Sequence, residues 1–206
     1  MSRVPVKRKR TLKDIQYFYR PEQIYELITR KTWPYKTDVD YYTKRDRALM
    51  ALLFLLACRV NEVLRLRKMQ FDFEADPDFI IIRSFYVSKR KEKTIKKYGP
   101  KFIDVPIPKR EEARLYPFTR LVLDYLPLVG AKDDKLFKMG TRRARQIVTY
   151  VTGMWPHWFR SMALSFYVNT LRNVMVVSEM LGVEDIKTLK WYWRGAWEDY
   201  RHQLIR

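Results

Sequence analysis

Residues 48–64 read ALMALLFLLACRVNEVL: eleven uncharged, apolar residues (Ala48–Cys58), then Arg59, then further apolar positions at Val60, Val63, Leu64 and Leu66. A membrane-spanning helix needs ~20 apolar residues, so a run of this length reads as a helix buried in a protein core. Thr43, followed three residues later by Asp46, has the form of a capping box and predicts a helix start just before the run. Arg59 is the informative position. A guanidinium costs several kcal/mol to bury unless it meets an anion. Glu62, one helical turn on, would serve as an internal partner, and a bound phosphate would serve equally well. At this point both readings stand.

Upstream, Pro21 opens a short helical pattern with Ile24, Leu27 and Ile28 on one face, and a polar, aromatic connection runs from Trp33 to Tyr42. Downstream the pattern changes. Phe79–Val87 and Phe102–Ile107 are rich in β-formers, and a lysine-dense stretch joins them. This predicts a hairpin with a long basic tip, Ser88–Lys101, whose second strand lies at an edge or end because Pro106 cannot donate to a ladder. From Arg110 onward the signal is helical, with breaks near Pro127–Lys135, Gly153–Pro156, Asn169–Asn173 and Gly182. The expected fold is mainly α with a small antiparallel β-hairpin or sheet. Residues 1–14 read as a basic arm, 15–195 as one domain, and 196–206 as a tail. In that tail Trp197, Tyr200 and Leu204 stand at helical spacing, suited to docking in cis or on a neighbouring protomer.

The 206 residues carry 42 Lys and Arg against 23 Asp and Glu, a formal charge of +19. A content of 47% hydrophobic and 15% aromatic residues argues against a disordered basic tail. A single cysteine, Cys58, excludes a disulfide framework or a cysteine zinc site and fits a reducing compartment. Two histidines, His157 and His202, are too few for a histidine-rich metal centre, and six glycines make a glycine-rich phosphate loop an unlikely source of function. The basic N-terminus lacks the apolar stretch of a signal peptide, and no amphipathic basic helix suited to a lipid surface stands out. Nucleic acid is the polyanion that fits this balance best.

Two further segments bear chemistry. In Pro156-His157-Trp158-Phe159-Arg160, before the apolar stretch Met162–Val168, His157 and Arg160 share a helical face. They can present two donors to one phosphate, or serve as satisfied structural residues. In LGVEDIKTLKWYW (181–193), Tyr192 falls late in a short helix after a Leu-Gly break; with fourteen tyrosines in the chain, it carries little weight alone.

Taken in order, these segments resemble the signature of the tyrosine recombinases, the λ-integrase-like enzymes: Arg59 in ACRVNEVLRLR, His157 and Arg160 in HWFR, and Tyr192 after LGVEDIKTLKW. Arg160 and Tyr192 stand 32 residues apart, as is typical of that family. The resemblance implies a DNA breaking–rejoining catalytic domain over residues 15–195 that acts on double-stranded DNA as a dimer or tetramer, with no metal and no cofactor. It implies that Tyr192 attacks a phosphodiester to form a 3′-phosphotyrosyl bond, that Arg59 and Arg160 grip the phosphate, and that His157 adds a hydrogen bond or accepts the tyrosine proton. A hairpin lysine would protonate the leaving 5′-oxygen; Lys89 matches best, with Lys91 and Lys93 in competition. DNA contacts are expected from Arg90, Lys91, Lys93, Lys96 and Lys97 on the tip, and from Arg142 and Arg143, with Arg145, at the start of a later helix.

Two features depart from the family pattern. Val183 stands where a His or Trp usually follows the Leu-Gly pair, and valine donates no hydrogen bond. Only about 20 residues precede the first helix, too few for the family's N-terminal clamp domain. Type IB topoisomerase activity and a catalytically impaired DNA-binding protein on the same fold are therefore alternatives, as is a generic basic binding module. Asn and Gln total eight and charged residues 32%, a balance compatible with a thermophilic source; an archaeal virus or plasmid integrase, working in the host cytoplasm and not secreted, suits it.

Overall fold

Every side chain from Ala48 to Leu55 is fully buried, so the apolar run forms the centre of the molecule. The structure is a computed structural model that describes residues 19–87, 100–183, 186, 189 and 192. The run belongs to α2 (Val39–Leu55), which follows α1 (Pro21–Thr29) and precedes the single turn α3 (Val60–Val63). Then come β1 (Phe71–Asp72), β2 (Phe79–Val87) and β3 (Lys101–Pro108). Four helices complete the order: α4 (Tyr116–Tyr125), α5 (Thr141–Thr152), α6 (Pro156–Leu171) and α7 (Val174–Met180). The architecture is a helical body with a small antiparallel sheet, as the sequence predicted.

One expectation is corrected. Thr43 and Asp46 do not cap the central helix; both lie inside it, because α2 begins at Val39 after the left-handed Asp38 (φ 47°). Asp46 is buried and accepts hydrogen bonds from the Tyr35 hydroxyl and from Arg45, whose Nη2 lies 2.8 Å away. The first half of α2 is polar, so hydrophobic periodicity registers only its second half. Around α2 pack α4, with the rings of Phe54 and Phe118 4.8 Å apart, and also α1, α5 and α6.

The sheet order is β1-β2-β3, and Ile80, Ile82, Phe85, Val87, Val105 and Ile107 form its buried side. Pro106 lies on the edge strand β3, where a missing donor is tolerated. Between Ile82↔Val105 and Phe85↔Ile103 the register shifts, leaving Arg83 and Ser84 opposite Asp104 alone. Ser84 takes φ 50°, its N–H donates to Asp104 Oδ1 at 2.9 Å, and Arg83 pairs with both Asp104 and Asp72. Bulges of this kind bend a strand and redirect its end. Beyond the bulge, Val87 pairs with Lys101 at the root of the expected basic tip.

The Leu-Gly break after α7 sits against that root. Gly182 has φ 62°, and a Cβ there would come within 2.9 Å of Val87 and 3.1 Å of Ile103, so both conformation and space call for glycine. Next to it, Ser178 Oγ donates to the Val183 carbonyl at 2.6 Å, and the Val183 side chain is buried.

Candidate active site

The site begins where α2 ends. Ala57 turns the chain in a left-handed conformation (φ 44°), an unusual geometry for a residue with a Cβ. Its carbonyl receives a hydrogen bond from Arg160 Nη1 on α6. Two residues on, Arg59 caps α3. Its backbone N–H donates to Glu62 Oε2 at 2.6 Å, and its Nη1 donates to Glu62 Oε1 at 2.9 Å.

Glu62 is only 1% exposed, and Arg160 Nη1 lies 3.9 Å from its Oε2. One buried carboxylate therefore stands between two guanidiniums from distant parts of the chain. Burial, and then the like charge of Arg59, push the Arg160 guanidinium below its ordinary value, while Glu62 and Tyr192 pull it back up. Arginine remains a cation through such a shift. The trio of Arg59, Glu62 and Arg160 thus carries a net +1 in a poorly solvated place, which favours the arrival of an anion. Of the two partners the sequence allowed for Arg59, the internal one is present. Arg59 nevertheless keeps about a quarter of its side chain exposed, and it lines a cleft of about 390 Å³ shared with His157, Arg145, Thr149 and Trp155.

His157 is the second residue of α6 and is exposed, one turn before the buried Arg160. Pro156, with its fixed φ and absent N–H, starts that helix without cost. Tyr192 is half-buried and packed against the core. Its N–H donates to the Leu189 carbonyl at 2.9 Å, and its own carbonyl accepts from Asn169 Nδ2 of α6 at 3.2 Å.

The structure thus brings Arg59 and Arg160 together on Glu62, puts His157 in the wall of the cleft beside Arg59, and ties the Tyr192 main chain to the helix that carries Arg160. Arg142 and Arg143 open α5 as expected; Arg142 is exposed, and Arg143 lies over the Trp33 ring at 4.2 Å. Lys89, Arg90, Lys91, Lys93, Lys96 and Lys97 lie outside the described residues, as do the arm 1–14 and the tail 196–206. Three features escaped sequence reasoning. Glu62 was foreseen as a partner for Arg59 but not for Arg160, Arg145 was placed with the DNA contacts and not in the cleft, and Asn169 was placed in a helix break. The Cys58 thiol is buried, and burial followed by the nearby Glu62 carboxylate pushes it well above its ordinary value, so it stays protonated. Among the described residues no group of three or more His, Cys, Asp and Glu could hold a metal, and no helix is long and apolar enough to cross a membrane.

Solved structures with a similar fold include site-specific recombinases and integrases. The XerH site-specific recombinase, bound to palindromic difH substrate in a post-cleavage complex, matches 89% of this chain with a TM-score of 0.59 and 16% identity. XerA recombinase matches 98% of it with a TM-score of 0.56, again at 16% identity. The fold is that of a tyrosine recombinase catalytic domain. The catalytic domain of bacteriophage HP1 integrase agrees, matching 90% of this chain and 93% of its own length with a TM-score of 0.50 and 16% identity. The chain spans 49% of XerH and 66% of XerA. No protein-family model matches the sequence, and no curated protein is detectably similar to it. At this identity the likeness to tyrosine recombinases concerns the fold, and the chemistry rests on the residues described above.

Proposed function

We propose that this chain cuts and rejoins double-stranded DNA in site-specific recombination, through a covalent 3′-phosphotyrosyl intermediate on Tyr192. The observation that carries the reading is the convergence of Arg59 and Arg160 on one buried carboxylate, with the main chain of Tyr192 hydrogen-bonded to Asn169 on the helix that carries Arg160. In this reading Tyr192 Oη attacks the phosphorus of a phosphodiester, a P–O bond to the tyrosine forms and the P–O5′ bond breaks. The tyrosine gives up its proton, for which His157 is the candidate acceptor, and the departing O5′ gains one, for which Lys89 is the candidate donor. The 5′-hydroxyl of a second DNA end reverses the step, so bond energy is conserved in the linkage.

Arg59 and Arg160 bind the non-bridging oxygens as negative charge grows on them; preorganised donors of this kind are typically worth ~3–4 kcal/mol each in the transition state. Glu62 holds both guanidiniums before DNA arrives, so little reorganisation remains for the reaction itself. Arg142 and the basic segment 89–97 supply backbone contacts that position the duplex without reading its sequence.

A duplex nicked just beyond the cleavage position traps the intermediate, because the short 5′-hydroxyl fragment diffuses away. The reading predicts a covalent protein–DNA adduct that forms at the same rate in EDTA, since arginines supply the charge a metal would. Absence of any adduct, with tight salt-sensitive binding retained, favours the second reading, a DNA-binding protein without catalysis. One observation supports that alternative: Val183 is buried and offers the phosphate no donor.

A further inference from the structure

The geometry points to Asn169 as a positioning residue for Tyr192. This rests on the functional reading above and goes beyond it by naming what sets the nucleophile. Asn169 lies two to three turns after Arg160 on the same helix, α6, and remains helical where the sequence predicted a break. Its Nδ2 donates to the Ser165 carbonyl at 2.6 Å and to the Tyr192 carbonyl at 3.2 Å. An amide nitrogen has two N–H groups, so each has a carbonyl partner. One bond fixes the side chain to its own helix; the other fastens the segment carrying the tyrosine to that helix.

Asparagine is a poor helix former, because its side chain competes for backbone groups. Here that capacity joins two segments. Through α6, the Tyr192 main chain is referenced to the element that carries His157 and Arg160. Asn169 does not touch the reacting atoms; it sets where Oη stands relative to the arginine pair. It also ties the tyrosine segment to the helix that carries Arg160.

Asn169→Asp tests this in the full chain. The side chain keeps its size, but the NH2 group that supplies both donors becomes a single carboxylate oxygen facing two carbonyls. Single-turnover adduct formation on the nicked duplex is expected to slow about 100-fold, the order of loss that follows a misplacement of about 1 Å. DNA affinity is expected to change less than about threefold, while Asn169→Gln, which keeps the amide, retains a rate within about tenfold of wild type. With a 5′-bridging phosphorothiolate, whose leaving group needs no proton, the Asn169→Asp defect persists, because attack is the slow step. Disappearance of the defect on that substrate would overturn the proposal, as would a wild-type rate in Asn169→Asp or a loss that follows DNA affinity.

A measurement independent of catalysis separates this proposal from the functional reading. In DNA-free protein labelled with ¹³C-tyrosine, the Tyr192 resonance, assigned with Tyr192→Phe, shifts or broadens in Asn169→Asp. If the wild-type protein forms no adduct, the functional reading fails, and an unchanged resonance would separately overturn the positioning role.

Discussion

Glu62 is the residue on which the site depends most. Its carboxylate is buried and shared by Arg59, which caps its own helix, and by Arg160 of α6. Removing one member of a buried ion pair typically costs about 3–5 kcal/mol, because the remaining charge is left without a partner. Glu62→Ala is expected to lower the free energy of unfolding by that amount in urea titrations, and Arg59→Ala by less, because Arg59 is partly solvated. The residue scale also shows what a sequence can disclose. Arg59, His157, Arg160 and Tyr192 stand out in the sequence because charge beside apolar helices is anomalous and because their order resembles a known signature; the catalytic roles given to them belong to the proposed function. Asn169 does not stand out, since an asparagine near the end of a helix reads as its terminus. Only the position of Tyr192's carbonyl, a tertiary fact, gives it a role.

Among the elements, the turn after α7 and the bulged sheet matter most. Gly182 combines a left-handed φ with side-chain atoms of Val87 and Ile103 where a Cβ would sit. Gly182→Ala therefore incurs a backbone cost of ~1–2 kcal/mol and a steric one besides. A loss of about 2 kcal/mol or more is expected in thermal unfolding, with α7 and the root of the hairpin losing amide protection first.

Arg83 ties all three strands together through Asp72 and Asp104. Asp72 lies below its ordinary value of 3.8 because of the Glu74 N–H first and Arg83 next; Asp104 is lowered by the Ser84 N–H first and then by Arg83. A carboxylate lowered by folding contributes stability that is complete above about pH 4 and is lost as pH falls through the depressed folded values. The stability difference between wild type and Arg83→Met is thus expected to be constant from pH 5 to 7 and to shrink below about pH 4. A difference independent of pH would show that Arg83 acts by packing alone. Of these elements, β2, β3 and the edge position of Pro106 were legible in the sequence. The two-residue β1 and the bulge were not, because neither has a period for a pattern to reveal. The start of α2 was misread because its first half has no apolar face.

At the scale of the molecule, the charge of +19 divides into two kinds. A small part converges at Arg59 and the buried Arg160, and the rest is a spread attraction of the kind that favours nucleic acid. A protein that neutralises six to ten phosphates loses about 10³- to 10⁵-fold in DNA affinity between 50 and 200 mM salt. This chain is expected to fall in that range, and Arg142→Ala to reduce the slope of log K against log salt by about 1 without changing sequence preference. A salt-insensitive affinity would contradict this assignment of the charge. The chain spans about half the length of XerH, a recombinase with this fold.

The identity of the nucleophile tests the central claim most directly. Protein trapped on the nicked duplex is digested with nuclease and trypsin, and the peptide retaining nucleotide mass is sequenced by mass spectrometry. The account predicts that the added mass lies on Tyr192 and that Tyr192→Phe yields no adduct while still binding DNA. Attachment at Tyr200 or any other residue, or an adduct that persists in Tyr192→Phe, would contradict it.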